Sequence, residues 1–125
     1  CVFGGGSVNM RDAAVYAGDK KWGTAIELWK QTYATKKGKK KMQAAYNLAV
    51  GYEMQDSIAT ALDWALKAQA EARIVDGVDK KDLTHLGKAD LPYYVLTTLY
   101  VTELEERKAG LSRLNMQMQR FNDDF

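Results

Sequence analysis

Few side chains of this 125-residue chain stand in a pattern that could transform a substrate. The single histidine, His85, lies between Thr84 and Leu86 in a charged stretch, with no second histidine or cysteine cluster to complete a metal site. Asp76, Asp79, Asp82 and Asp90 surround it but lack the alternate-position spacing and closing glutamate of a calcium loop. Gly4-Gly5-Gly6-Ser7 has neither the following lysine nor the preceding strand that a phosphate-binding loop requires. No serine sits in a nucleophile-elbow context, and Glu105-Glu106 fall on an exposed helical face. The chain reads as a non-enzyme, with no cofactor, no metal and no small-molecule substrate.

Three other groups have non-catalytic chemistry. Five lysines around one glycine, Lys36-Lys37-Gly38-Lys39-Lys40-Lys41, would release counterions from phosphate. They have no arginine beside them to read a base, so a solvated turn between helices is expected and nucleic acid is not. Trp22, Trp29 and Trp64 would make a stacking surface, but their helical spacing assigns them to packing. Cys1, the lone cysteine, can form neither an internal disulfide nor a thiolate cluster. Followed by Val2-Phe3-Gly4-Gly5-Gly6-Ser7, it suits either a lipidated lipoprotein terminus or a fragment boundary, although Val2 and Phe3 are bulky for a tether. Membrane association is expected only through such a lipid.

The elements that must position these groups are helices. The apolar fraction of 46% suits a globular chain, and one proline with few β-branched runs favours an all-α fold. No uninterrupted apolar stretch is long enough to span a bilayer. Charge is uneven: residues 1–50 carry nine Lys/Arg against three Asp/Glu, while acidic residues prevail afterwards. Such a field would steer an acidic partner to the first half or favour head-to-tail packing of copies. Residues 1–8 read as a flexible lead-in, 9–121 as one helical domain and 122–125 as a frayed tail. Ser7 or Asn9 is placed to cap helix 1, expected over Met10–Ala17, with Gly18-Asp19 as the turn that closes it. Helix 2 follows over Trp22–Thr35, helix 3 over Lys40–Met54 and helix 4 over Ile58–Val75, with Gln55-Asp56-Ser57 between the last two. Residues 76–90 break the rhythm. Asp90 and Pro92 then open a last helix, which Gly110 bends or weakens.

Two of these stretches repeat 36 positions apart. Ala13, Tyr16, Trp22, Ala25 and Ile26 recur as Ala49, Tyr52, Ile58, Ala61 and Leu62. A recurrence of this length marks a repeat in which each unit buries its apolar face on the next. Leu48, Ala49, Tyr52, Ala61 and Ala68 resemble a tetratricopeptide repeat (TPR). Ala65 stands where an aromatic is usual, with Trp64 one place early. Ala13, Tyr16, Ala25 and Trp29 resemble the same pattern, with Asp12 in the leucine position. Tyr93 to Ala109 fits it loosely, without a turn. In its basic-aromatic segment Lys20-Lys21-Trp22-Gly23-Thr24-Ala25-Ile26-Glu27-Leu28-Trp29 the chain is also similar to the helical C-terminal part of certain uncharacterised bacterial cell-envelope proteins, which implies an envelope location and a larger parent protein.

The resemblance implies two TPR-like helical hairpins and a long C-terminal capping helix. It also implies a groove, lined by the first helix of each hairpin, that receives an extended peptide. The positions that correspond are Met10, Arg11, Ala14, Gln43, Tyr46, Asn47, Val50 and Met54, with Tyr94 and Thr98 from the third unit. Asn47 stands out there, since its amide both donates to and accepts from a peptide backbone. Tyr46 would add apolar area with a polar tip. The function so implied is a non-catalytic module that holds a protein or peptide partner. The alternative is a structural domain whose groove is filled by its own last helix, through Leu111, Leu114, Met118 and Phe121.

Overall fold

The computed structural model describes residues 2–5, 8–81, 87 and 90–124. Cys1, Ser7, Asp82 and His85, each singled out above, lie outside the described residues. The fold is all-α, and among the described residues it consists of α1 (Val8–Gly18), α2 (Trp22–Thr35), α3 (Lys39–Met54), α4 (Ile58–Asp76) and α5 (Pro92–Asp124), with a short 3-10 turn over Val78–Lys80. Each helix packs against the next in sequence, from α1 on α2 to α4 on α5. Expected helix boundaries agree within a few residues, and α5 runs through Gly110 without a break.

The repeat of 36 residues is visible in the backbone. In the first turn the Lys21 amide donates to the Tyr16 carbonyl at 2.8 Å and the Lys20 amide to Ala17 at 3.0 Å. In the second, Ser57 donates to Tyr52 at 2.9 Å and Asp56 to Glu53 at 2.9 Å. Both are Schellman closures, which satisfy the last free carbonyls of a helix by placing one residue in the left-handed region. That residue is Lys20 (φ 61°) in one turn and Asp56 (φ 59°) in the other, not Gly18 as the sequence suggested. A side chain in this conformation crowds its own carbonyl. Lys20→Gly is therefore expected to stabilise the fold by about 0.5–1 kcal/mol, and Asp56→Gly by less because aspartate tolerates the region better. Urea midpoints of the two variants check both the sign and the order.

Burial repeats at the same period. Ala13 and Ala49, Ala25 and Ala61, Ile26 and Leu62, Trp29 and Ala65, and Thr32 and Ala68 are all buried. The Trp29/Ala65 pair shows how unequal volumes fill equivalent positions. In the first unit Trp29 fills the interior outright. In the second, Trp64 sits half-buried one position away, edge-on to Tyr33 at 5.0 Å. Helices α2 and α3 approach closely at Gly51, where a Cβ would stand 3.0 Å from Ile26 Cγ1 and 3.3 Å from Trp29 Cζ3. One core cluster joins α1, α2 and α3, and another joins α3, α4 and α5.

The start of α5 is tied down from a distance. The Tyr94 amide donates to the Asp76 carboxylate at 2.7 Å, so the last residue of α4 caps the first turn of α5. Asp90, expected as the cap, instead accepts from the Gly87 amide at 2.8 Å. Ser57 occupies the cap position of α4 but makes no side-chain cap bond. Beyond Leu104 the helix is largely exposed, and Leu111, Leu114, Met118 and Phe121 are exposed with it.

Candidate functional site

Residues of α1, α3 and the beginning of α5 form one face. Residues 2–5 lie along it outside any helix, half-buried from Val2 to Gly4. At its centre is Asn47, completely buried. Its Oδ1 accepts from the Phe3 amide at 2.7 Å, and its Nδ2 donates to the Phe3 carbonyl at 2.7 Å. Both polar groups of one peptide residue are thus met by one side chain, the pairing that a neighbouring β-strand would supply.

Aromatic rings surround that clamp. The Phe3 ring meets Tyr46 edge-on, with centroids 5.3 Å apart, and Tyr93 at 6.4 Å. Tyr46 in turn packs on Tyr100 at 5.0 Å. Edge-to-face packing of this kind adds to plain area burial. Val2 touches both core clusters, so the segment seals the seam between the two repeats. Gly4 passes Ala14 so closely that a Cβ there would stand 3.0 Å from the alanine Cβ. Beside Gly4 and Gly5 lies a cavity of about 290 Å³, lined also by Phe3, Lys39, Lys40 and Gln43. Lys39 reaches over the Tyr93 ring, 5.3 Å from its centroid.

Below the rings is a charged relay. The Tyr100 hydroxyl donates to Glu53 Oε1 at 2.6 Å, and Arg107 donates to Glu53 Oε2. Burial, then the bond to Glu53, pushes the Tyr100 phenol far above its ordinary value near 10. Burial also raises Tyr46, helped by Glu103 and Glu53. The folded state therefore holds these protons when the unfolded state has lost them. Stability from both groups is complete below about pH 10 and falls as pH rises from there. Tyr100→Phe is expected to flatten the alkaline arm of the urea-midpoint profile between about pH 9 and 11. An unchanged slope would exclude Tyr100 as its source.

Of the residues expected in a groove, Asn47, Tyr46, Gln43 and Ala14 meet or border the segment. Val50 is buried in the core beneath Tyr46, and Met10 is buried on α1. Arg11 and Met54 are exposed on their helices. Tyr94 and Thr98 are turned toward α4: the Tyr94 hydroxyl accepts from Arg73 at 3.4 Å, and Thr98 accepts from Gln69 at 2.9 Å. Their place on this face belongs to Tyr93. Leu111, Leu114, Met118 and Phe121, the stripe expected to fill a groove, are exposed, and Phe3 takes the clamp instead. No local pattern in the sequence marks Phe3 or Gly4 as a site residue. The available signal was a bulky Val-Phe pair in a segment otherwise suited to a tether.

The lysine run divides. Lys36 and Lys37 are exposed, whereas Lys41 lies 4.9 Å from the Tyr33 ring centroid and 3.9 Å from Glu71. Among the described residues no three His, Cys, Asp or Glu side chains are grouped to hold a metal ion. No described helix is long and apolar enough to cross a membrane.

No curated protein and no solved structure matches the chain. A family model does match over residues 11–106, which contain Ala14, Tyr46, Asn47 and Tyr93 but neither the segment at 2–5 nor the first three residues of α1. The chain belongs to that family, described as a domain of unknown function (DUF6340).

Proposed function

We propose that this domain is a non-catalytic interaction module of TPR-like build that holds an extended peptide on the face of α1, α3 and α5. One observation carries the reading: Asn47 clamps both backbone groups of Phe3, a residue 44 positions away in sequence. A side chain that reads only backbone serves any extended segment, and the rings beside it supply affinity. The repeated Schellman turns and the burial that recurs every 36 residues support the TPR-like stacking.

The test is a set of end-blocked extended peptides of differing sequence, titrated against the chain and against Asn47→Ala. Loss of at least tenfold in affinity across every peptide is the expected result, with helical circular dichroism kept. Unchanged affinity in Asn47→Ala would sink the reading. A second reading rests on the same contact: residues 2–5 fill the face permanently and the domain is purely structural. It requires that no peptide compete with the segment at any concentration. A bacterial cell-envelope setting belongs to the proposal through resemblance alone.

A further inference from the structure

Resting on that reading, we infer that the site selects an extended peptide of the order apolar, aromatic, glycine, acidic, and that residues 2–5 are a weaker internal copy of it. Each position follows from a contact of the seated segment. The first is apolar because Val2 packs into both core clusters. The second is aromatic because Tyr46 and Tyr93 surround the Phe3 ring. The third is glycine because a Cβ would stand 3.0 Å from that of Ala14 on a packed helix.

The fourth position differs. A Cβ on Gly5 would meet nothing within 4 Å. The neighbouring cavity of about 290 Å³ is lined by Lys39 and Lys40, with Gln43 beside them. An aspartate or glutamate at this position would stand beside a cavity whose lining supplies two lysines and an amide, whereas Gly5 has no side chain to reach them. The internal segment therefore makes the first three contacts and leaves the fourth unmade. Being tethered, it competes at a high effective concentration, so a peptide in trans needs that extra contact to displace it.

The experiment uses the full chain with the segment released, either by Phe3→Ser or, independently, by Gly4→Val. Four end-blocked peptides are titrated: Val-Phe-Gly-Glu, Val-Phe-Gly-Gly, Val-Phe-Ala-Glu and Val-Ala-Gly-Glu. Val-Phe-Gly-Glu is expected to bind at least tenfold tighter than the alanine peptides. Its advantage over Val-Phe-Gly-Gly should be about threefold to tenfold, shrink with added salt and vanish in Lys39→Glu/Lys40→Glu. The unsubstituted chain should bind it about tenfold more weakly than the released variants do. Equal binding of all four peptides overturns the selectivity and leaves the interaction module standing. Binding of none to either folded variant overturns both. A dimer of the unsubstituted chain that disappears in Phe3→Ser would show exchange of residues 2–5 between copies, and would overturn the peptide assignment in favour of self-association.

Discussion

Asn47→Asp is expected to convert a pH-insensitive contact into a pH-dependent one. The carboxylate keeps an acceptor for the Phe3 amide, but its second oxygen then faces the Phe3 carbonyl, where Asn47 donates at 2.7 Å. Two acceptors face each other in a site where Asn47 is completely buried. Only the protonated acid can donate to that carbonyl. Burial and this requirement both raise the introduced carboxyl above its ordinary value near 3.9. The folded state then binds the proton more tightly than the unfolded state does. Stability is highest below about pH 4 and is lost as pH rises through the raised value. At neutral pH the loss should reach about 2–4 kcal/mol, because a buried polar contact is broken and a charge desolvated. Asn47→Ala should lose about 2–3 kcal/mol without the acid dependence. Urea midpoints of both variants between pH 3 and 8 provide the check. Parallel profiles would mean that position 47 is not sealed from water by Phe3.

Trp29 carries the other large effect. It is fully buried, touches the α2–α3 approach at Gly51 and stacks obliquely on Trp22 with centroids 6.5 Å apart. Trp29→Ala opens a cavity in the middle of the first core cluster and should cost about 3–5 kcal/mol. Trp29→Phe should cost far less, for a reason specific to this site. Trp29 Nε1 is buried without a hydrogen-bond partner among the described residues. Losing the indole removes that desolvated donor, which offsets part of the lost packing. Denaturant unfolding of the pair decides the point. Both variants lack the indole donor, so equal losses in Trp29→Ala and Trp29→Phe would show that the volume the phenyl ring keeps does not stabilise the site. Because Trp29 packs at the α2–α3 approach and takes no part in the Asn47 clamp on Phe3, the folded fraction of Trp29→Phe should keep its peptide affinity.

The contrast between these two residues reflects how each is held. Trp29 is fixed by neighbours on its own and the next helix, which a repeat pattern anticipates. Asn47 is also on a repeat helix, but its partner is 44 residues away, in a segment with no helical or strand periodicity. Nothing local marks Phe3 as the group that completes it.

Much of the architecture is legible in the sequence because it rests on short-range rules. Apolar residues three and four apart, with turn residues between the runs, place α1 to α4, since a helix buries one stripe and ends where its backbone can turn. The 36-residue recurrence links α1 and α2 to α3 and α4 because equivalent positions are buried alike. Asn47 and Tyr46 could be singled out on that basis, through the resemblance their pattern carries. Three things were not legible there, one in a local turn and two in tertiary contacts. Which residue takes the left-handed conformation shifted from Gly18 to Lys20, because the closing bond from Lys21 to Tyr16 sets the turn, not the nearest glycine. The rotation of α5 is set by Asp76 capping Tyr94 and by Arg73 and Gln69 on α4. One residue along a helix is a rotation of about 100°, so this anchoring turns Tyr94 away and presents Tyr93. Last, residues 2–5 could be read only as a lead-in, because an extended segment without periodicity acquires a place only from the surface that receives it. That surface is assembled from three helices whose sequence positions span the chain, and it exists only once they have packed.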